Sequence, residues 1–341
     1  MPNDEASTSG AMEENGIIEP LPDDAPEFMD EGTSDYDPSL AETQFGSLTS
    51  SVTGHIWEYG RRYHAFRPGR YPVPNDDEEY KRESLRHTMM KELLRGKLFL
   101  APIGPNPQKI IDLGTGFGDW AIEVGELYPG AKVTGLDLSP IQPVWVPSNV
   151  EFIVDDIEDE WVHDNDYDFA HFRVVNIVLK DNDLALTKVL NNLKPGGWVE
   201  IQDLYPYIYS DDNTLPPDYA PNKFYDLVEA VFDGHYGFNV KYLDNLIERL
   251  ERLGFVNAQR KVYHMPLGEW PRNQHLRVLG GCFREIVLDF VVAVAAKPFM
   301  EAGYDREEID ELVNDTKAAV NNRRIHAYVP IHFVWAQKPP A

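Results

Sequence analysis

Three glycines separated by single residues, Gly114, Gly116 and Gly118, are the part of this chain best suited to holding a ligand. Glycine has no Cβ, so a backbone can turn tightly there and approach a bound molecule closely. The apolar run 109–113 before them has the pattern of a buried strand, and 119–128 after them has that of a helix. A strand, a glycine loop and a helix in this order predict a nucleotide-binding turn, with a purely structural tight turn as the alternative.

Acidic residues follow the next two predicted strands at positions where a nucleoside would need them. Asp137 ends the second strand, where a carboxylate can accept hydrogen bonds from ribose hydroxyls. Asp155, Asp156 and Ile157 follow the third strand, so an acid and an apolar residue come where an adenine ring could rest. The spacing of these acids after the glycine loop predicts a bound nucleoside.

A dinucleotide-binding domain is the nearest competing interpretation of the same glycines. Its fingerprint is G-x-G-x-x-G with a helix N-terminus facing a pyrophosphate, whereas the third glycine here comes one residue early. The acids Asp112 and Asp119 flank the loop and would repel a pyrophosphate. The loop therefore favours a nucleoside that carries positive charge.

The elements that must position these residues alternate between strands and helices. Such βα units imply a largely parallel sheet with ligands at the carboxyl ends of the strands. The predicted strands are 109–113, 132–136, 150–154, 169–174, 198–202, 256–263 and 325–337. The predicted helices are 76–100, capped by Asn75, 119–128, 181–193, 223–232, 240–253, 274–297 and 305–322.

Charge and composition exclude several classes of function. The 341 residues contain 57 acids and 31 bases, a formal charge of −26, which argues against binding to nucleic acid or to an anionic membrane. Residues 1–50 hold 13 of the acids and no Lys or Arg, so we expect a disordered tail that either stays solvated or docks a protein partner.

The lone Cys282 and the lack of a secretory signal predict a cytoplasmic protein, with a nuclear location left open. No metal-ligand spacing is evident.

The run IIDLGTGFGDWAIEVGELYPGAKVTGLDLSPIQP resembles the class I S-adenosylmethionine-dependent methyltransferases, as do VEFIVDDIED and LKPGGWVEIQD. The upstream run EYGRRYHAFRPGRYPVPNDDEEYKRESLRH, with GKLFLAPIG, resembles the fungal LaeA-like (UMTA-like) group of that class. The resemblance implies a Rossmann-like, doubly wound, seven-stranded, mostly parallel sheet. It divides the chain into a tail (1–50), a helical prelude or lid (51–104), a core (105–263), a helical insertion over the acceptor (264–324) and the final strand (325–341).

The same resemblance implies a binding site for S-adenosylmethionine. Asp112 would lie near the methionyl amino group, and Asp137 would accept from the ribose. Asp156 would meet the adenine amine, although the position before it is usually glycine in the family and is Asp155 here. Tyr63, placed in a prelude helix, would cover the carboxylate or sulfonium, or else only pack that helix. The full implied set is Tyr63, Asp112, Gly114, Gly116, Gly118, Asp137, Leu138, Asp156, Ile157, Phe172 and Arg173.

Methyl transfer is an in-line displacement that positioning alone can accelerate, and a base is needed only for a nucleophile with a proton of high pKa. His64, His171 and His235 are the candidate bases, each with a structural role as the alternative. Tyr205 and Tyr207, just after the fifth predicted strand, are candidates for lining the acceptor pocket. The predicted function is O- or N-methylation of a small molecule in fungal secondary metabolism. The alternative is a LaeA-like regulator that acts through protein partners.

Overall fold

The computed structural model describes residues 17–22, 54–162 and 164–341. The strands are β1 (His55–Glu58), β2 (Arg61–His64), β3 (Lys109–Leu113), β4 (Lys132–Asp137), β5 (Val150–Val154), β6 (Tyr167–Arg173), β7 (Leu193–Leu204), β8 (Val256–Pro266) and β9 (Tyr328–Gln337). The helices are α1 (Asp77–Leu93), α2 (Asp119–Leu127), α3 (Asn182–Asn192), α4 (Ala220–Val231), α5 (Leu246–Leu253), α6 (Gln274–Ala296), α7 (Pro298–Glu301) and α8 (Arg306–Val320).

Seven of the strands form one sheet in the order β5-β4-β3-β6-β7-β9-β8. The first five of these strands pair in parallel, whereas β9 runs antiparallel to both β7 and β8. The predicted doubly wound, mostly parallel sheet and its seven strands are confirmed. The strand order reverses beside β3, so the edge where β3, β4 and β6 end is the place where this fold binds ligands.

Apolar side chains cover the sheet on both faces. On one face Ile110 and Val133 pack against Trp120 and Val124 of α2. The other face carries Ile111, Leu113 and Leu136, which share a buried cluster with side chains of α3 and α5. Strands buried on both faces need nearly continuous apolar runs, which is why KIIDL signalled this strand so clearly in the sequence.

The prelude is not wholly helical, because residues 55–64 form the hairpin of β1 and β2. Tyr59 and Gly60 have φ values of 50° and 77°, and two left-handed residues make the tight turn that suits a two-residue hairpin. Helix α1 begins after Asp76, whose side chain caps it by accepting from the Glu79 N–H, so Asn75 is not the cap. The helix ends at Leu93 rather than at residue 100.

The insertion packs against the prelude rather than standing apart from the core. Side chains of α6, among them Phe283 and Val287, share a buried cluster with Met90 and Leu93 of α1. The described part of the tail, residues 17–22, pairs with the start of the insertion through the Leu21 N–H, which donates to the Trp270 carbonyl at 2.6 Å. The remainder of the predicted disordered tail lies outside the described residues. Among those residues, no helix combines the length and apolar composition that crossing a membrane requires.

Candidate active site

A cleft of about 800 Å³ opens where β3, β4, β5 and β6 end, and a second chamber of about 430 Å³ adjoins it. The two spaces adjoin along six residues that line both of them: Glu83, Arg86, Gly114, Gly116, Phe117 and Arg173. Seven residues of the predicted cofactor set line the larger cleft: Gly114, Gly116, Asp137, Leu138, Asp156, Ile157 and Arg173. The structure therefore brings these predicted residues together from the ends of four separate strands.

The three glycines of the loop serve different purposes. All have positive φ, and a Cβ on Gly114 would lie 2.6 Å from the Val175 side chain, while one on Gly118 would lie 2.5 Å from Phe152. Those two glycines allow close packing inside the protein. A Cβ on Gly116 meets no protein atom within 4 Å, and this residue lines both chambers. Of the three, Gly116 is therefore the glycine at which an added side chain would enter the cleft instead of meeting the protein.

Asp137 is held rigidly at the end of β4. Its Oδ2 accepts from the Gly116 N–H at 2.8 Å, and its Oδ1 accepts from the Ser139 N–H at 2.9 Å. Burial raises the pKa of Asp137 to about 6, against the opposing effect of these two backbone hydrogen bonds. The carboxylate keeps further lone pairs for hydroxyl donors.

The acid after β5 that the sequence assigned to adenine is already engaged by the prelude. Asp156 Oδ2 lies 3.1 Å from Arg67 Nη1 and 3.1 Å from Arg70 Nε, and its Oδ1 accepts from the Glu158 N–H at 3.0 Å. Arg70 also pairs with Glu158. The loop between β2 and α1 is thus tied across the edge of the cleft by ion pairs.

Asp112 lies beneath the glycine loop and lines the smaller chamber. Its Oδ2 accepts from the Thr115 hydroxyl at 2.7 Å, and its Oδ1 lies 2.7 Å from His171 Nδ1. His171 is fully buried and stacks on Trp120 with 3.7 Å between ring centroids. Burial lowers the pKa of His171. This candidate base therefore supports Asp112 and does not reach the cleft.

The other two candidate bases also lie outside the cleft lining. His64 is buried on β2, where its Nε2 is 3.3 Å from the Arg67 carbonyl oxygen and burial lowers its pKa to about 4. His235 is exposed near the end of a short π-helical turn after α4. The sequence predicted that one of these rings faces the acceptor. Tertiary packing, which local sequence patterns do not show, directs each ring elsewhere.

Four predicted aromatic contacts are likewise placed away from the cleft. Tyr63 is on strand β2 rather than on a helix, and its ring is buried under Lys297, with Nζ 4.5 Å from the ring centroid. The Tyr205 hydroxyl donates to Asp244 and the Tyr207 hydroxyl to Glu229, at 2.7 and 2.6 Å. Phe172 is a core residue of β6. Successive side chains of a strand point to opposite faces of the sheet, so the position along the strand decides which side chains are buried in the core.

Sequence reasoning missed the prelude residues that do line the cleft. Tyr71 lies in the loop before α1, while Glu79, Glu83 and Arg86 occupy one face of that helix. Their spacing of four and three residues was the available signal, since residues so spaced share a helix face. Burial and the neighbouring Arg82 charge lower the pKa of Arg86 to about 9.

The smaller chamber contains charges of both signs, which suit a zwitterion. Asp119 lines it with Arg86 and Arg173, and burial together with nearby Glu123 raises the pKa of Asp119. Burial lowers the pKa of Arg173 to about 10. Its Nη1 is 2.9 Å from Nδ1 of His87. An amino acid end of a ligand could therefore place its ammonium and carboxylate groups against opposite charges here. Among residues 17–22, 54–162 and 164–341, no cluster of His, Cys, Asp and Glu could hold a metal ion.

Residues 85–260 match a family described as a methyltransferase domain, over more than half of the chain. The protein belongs to this methyltransferase family. As a member it is an S-adenosylmethionine-dependent methyltransferase, which confirms the predicted activity and cofactor. The chemistry of the lining fits that cofactor, because the buried acid Asp137 at the end of β4 adjoins a chamber with charges of both signs.

Some relatives of this chain are named as methyltransferases and others as regulators of secondary metabolism. Methyltransferase pytC of Aspergillus terreus is 36% identical over 89% of this chain and 94% of its own length. The secondary metabolism regulator LAE1 of Cochliobolus heterostrophus is 32% identical over 87% of this chain and 99% of its own. The protein-methionine methyltransferase laeA of Emericella nidulans is 29% identical over 83% and 76%. The predicted LaeA-like resemblance is confirmed.

A solved phosphoethanolamine N-methyltransferase 2 from Haemonchus contortus, in complex with S-adenosylmethionine, is also similar to this methyltransferase. It shows 20% identity and a TM-score of 0.44, over 74% of this chain and 52% of that one.

Proposed function

We propose that this methyltransferase modifies an oxygen or nitrogen atom of a small molecule of fungal secondary metabolism. The observation that carries the proposal is the enclosure of the cleft between the sheet and the prelude. Tyr71, Glu79 and Glu83 line it from the prelude side, opposite Gly114 and Asp137. A concave site lined mainly by apolar atoms, with a few charged groups among them, is typical of small-molecule sites. Helix α6 packs against α1, and no residue of 264–324 is among those that line the cleft, so the insertion would cover the acceptor only by way of the prelude.

The cofactor site that we propose uses residues from both chambers. Asp137 would hold the ribose, with Leu138 and Ile157 packing against the adenine ring. The methionyl end would enter the smaller chamber, where Arg173 and Arg86 face its carboxylate and Asp119 its ammonium group. Asp112 would contribute through Thr115 and the glycine loop, since both of its oxygens already have partners. When bound, S-adenosylmethionine supplies a methyl group on a positively charged sulfur.

The protein's own contribution to the reaction is orientation and exclusion of water. His87 lines the smaller chamber, but Arg173 and Glu123 engage its two ring nitrogens and burial lowers its pKa to about 4. His87 is the one histidine in the described lining of the two chambers, so none of His64, His171 and His235 presents a ring nitrogen there to take an acceptor proton. Well-oriented reactants alone can lower a barrier by roughly 7–11 kcal/mol, so positioning is sufficient.

A labelling experiment tests the proposed class of acceptor. The full-length protein is incubated with S-adenosylmethionine labelled in the methyl group and a fungal extract separated by a size filter. Label is expected in the low-mass fraction, and a Gly116→Val variant is the inactive control. Label found only in proteins of the retained fraction would contradict a small-molecule acceptor.

The regulatory alternative rests on the relatives that are called secondary metabolism regulators. In that role the acidic tail would dock a protein partner, and part of the protein would be nuclear rather than cytoplasmic. Deletion of residues 1–50 separates the two roles. A small-molecule enzyme should keep its turnover without the tail, whereas a docking protein should lose its partner.

Cofactor affinity is expected to fall as the pH drops from 7.5 to 5. The pKa of Asp137 is about 6 without ligand, and ribose hydroxyls donate to its ionised form. Above pH 7 the carboxylate is already ionised, whereas below pH 6 binding must first remove its proton. The loss of affinity then approaches roughly tenfold per pH unit, because one proton is released on binding. Calorimetry with S-adenosylhomocysteine measures it. Asp137→Asn should flatten the profile, and an equally steep profile in that variant would assign the effect to another group.

Hydrogen exchange tests whether the prelude closes over the cofactor. S-adenosylhomocysteine should slow amide exchange in residues 65–76, because Arg67 and Arg70 tie this loop to the cleft edge and Tyr71 lines the cleft. The turn at Gly303, which is exposed and does not belong to the lining of the cleft, serves as the internal reference. Equal exchange with and without the ligand would remove the prelude from the site.

A further inference from the structure

We propose that Asp155, and not Asp156, accepts the hydrogen bond from the exocyclic amine of adenine, while Asp156 anchors the prelude. This assignment rests on the proposed cofactor site and deepens it. It reverses the order that the family resemblance implies, in which the second acid of the pair meets the adenine. The reason lies in what each carboxylate already contacts.

Asp156 has little acceptor capacity left for a ligand. A carboxylate has about four lone-pair positions, and two guanidinium groups occupy Oδ2 while a backbone N–H occupies Oδ1. Its side chain is only 4% exposed. Both arginines come from the loop between β2 and α1, more than 80 residues away in sequence. The contacts of Asp156 therefore hold two parts of the fold together.

Asp155 is oriented differently although it is the next residue. Its N–H donates to the Asp137 carbonyl at 3.0 Å, which ties its backbone to the ribose acid. Its Oδ1 accepts from the Asp156 N–H at 2.8 Å. Across the described residues no hydrogen bond or ion pair to its Oδ2 is present, and the half-buried side chain lines the cleft. One carboxylate oxygen is thus available at the adenine end of the cleft.

The acid at position 155 explains why the two carboxylates can have different roles. A glycine at this position, which the family resemblance implies, would offer no side-chain acceptor and would leave the amine to the following acid. Here the added carboxylate can take over that contact, and Asp156 can be committed to Arg67 and Arg70. The consequence is that base recognition and prelude closure are carried by two adjacent residues with separable roles.

Adenine recognition can be measured by comparing two ligands that differ at one group. S-inosylhomocysteine carries a carbonyl where S-adenosylhomocysteine carries the amine, so a carboxylate acceptor disfavours it. Calorimetry on the full-length protein gives the ratio of the two affinities. We expect Asp155→Asn to reduce this ratio by at least tenfold, because an amide can donate to the carbonyl. We expect Asp156→Asn to leave the ratio within twofold of the wild type and to accelerate exchange in residues 65–76.

Matched variants keep the outcomes distinct. Asp159→Asn, which alters an exposed partner of Arg67, should change neither the ratio nor the cofactor affinity by more than twofold. Arg70→Met should loosen the prelude as Asp156→Asn does while preserving the ratio, and it tests the anchor if Asp156→Asn does not fold. A ratio that falls in Asp156→Asn and persists in Asp155→Asn would overturn the inference. If the wild type bound neither ligand, the proposed cofactor site itself would fail instead.

Discussion

Gly116→Val should abolish cofactor binding, with affinity for S-adenosylhomocysteine reduced at least 100-fold in calorimetry. A Cβ at this position meets no protein atom within 4 Å, so the valine methyl groups would project into the space that both chambers share. The effect is steric exclusion of the ligand rather than loss of one contact. Turnover should disappear with binding, because the cofactor donates the methyl group.

Backbone strain is the competing explanation for such a loss. Gly116 has a φ of 57°, where a β-branched residue is disfavoured by roughly 1–2 kcal/mol. Melting temperature and circular dichroism therefore accompany the titration. Gly130→Val is the control for an added side chain, since Gly130 also meets no atom within 4 Å and lies in an exposed turn. Normal binding by a folded Gly116→Val protein would refute the ligand role of this glycine.

Asp137→Ala is expected to weaken cofactor binding by at least roughly tenfold while the sheet remains folded. The substitution would remove the proposed charged acceptor of two ribose hydroxyl bonds, and hydrogen bonds to charged groups contribute about 1.5–3 kcal/mol each. It also frees the Gly116 and Ser139 N–H groups that the carboxylate now holds. Part of the loss will therefore come from a less ordered glycine loop.

Asp137→Asn separates these two contributions. The amide keeps the shape of the side chain and one acceptor oxygen, so the loop should stay in place and the affinity should be intermediate. The comparison uses S-adenosylhomocysteine at pH 7.5, where Asp137 is ionised. If Asp137→Ala bound the ligand normally while an Asp155 variant did not, the ribose assignment at the end of β4 would be wrong.

Local sequence patterns predicted most of the sheet because they depend on few neighbours. The strand KIIDL is buried on both faces, so its apolar run was visible without any partner. The prelude hairpin was missed because β1 and β2 are four-residue strands, rich in aromatic and basic residues, within a segment for which the family resemblance implies a helix. Its register is set by Tyr59 and Gly60, and the β-propensity of short polar strands depends on their tertiary neighbours.

The sequence by itself determined the fold class and the family. It also predicted that Gly116 and Asp137 lie together, because glycine spacing and strand ends place them side by side in any sheet of this topology. Only the tertiary structure decided which side chains reach the cleft. His171 points to Asp112 and not to the ligand, whereas Arg86 of the prelude enters the cleft across a long separation in sequence. The different roles proposed for Asp155 and Asp156 likewise depend on the tertiary structure. It follows from a non-local ion pair with Arg70, and no periodicity along the chain encodes such a contact.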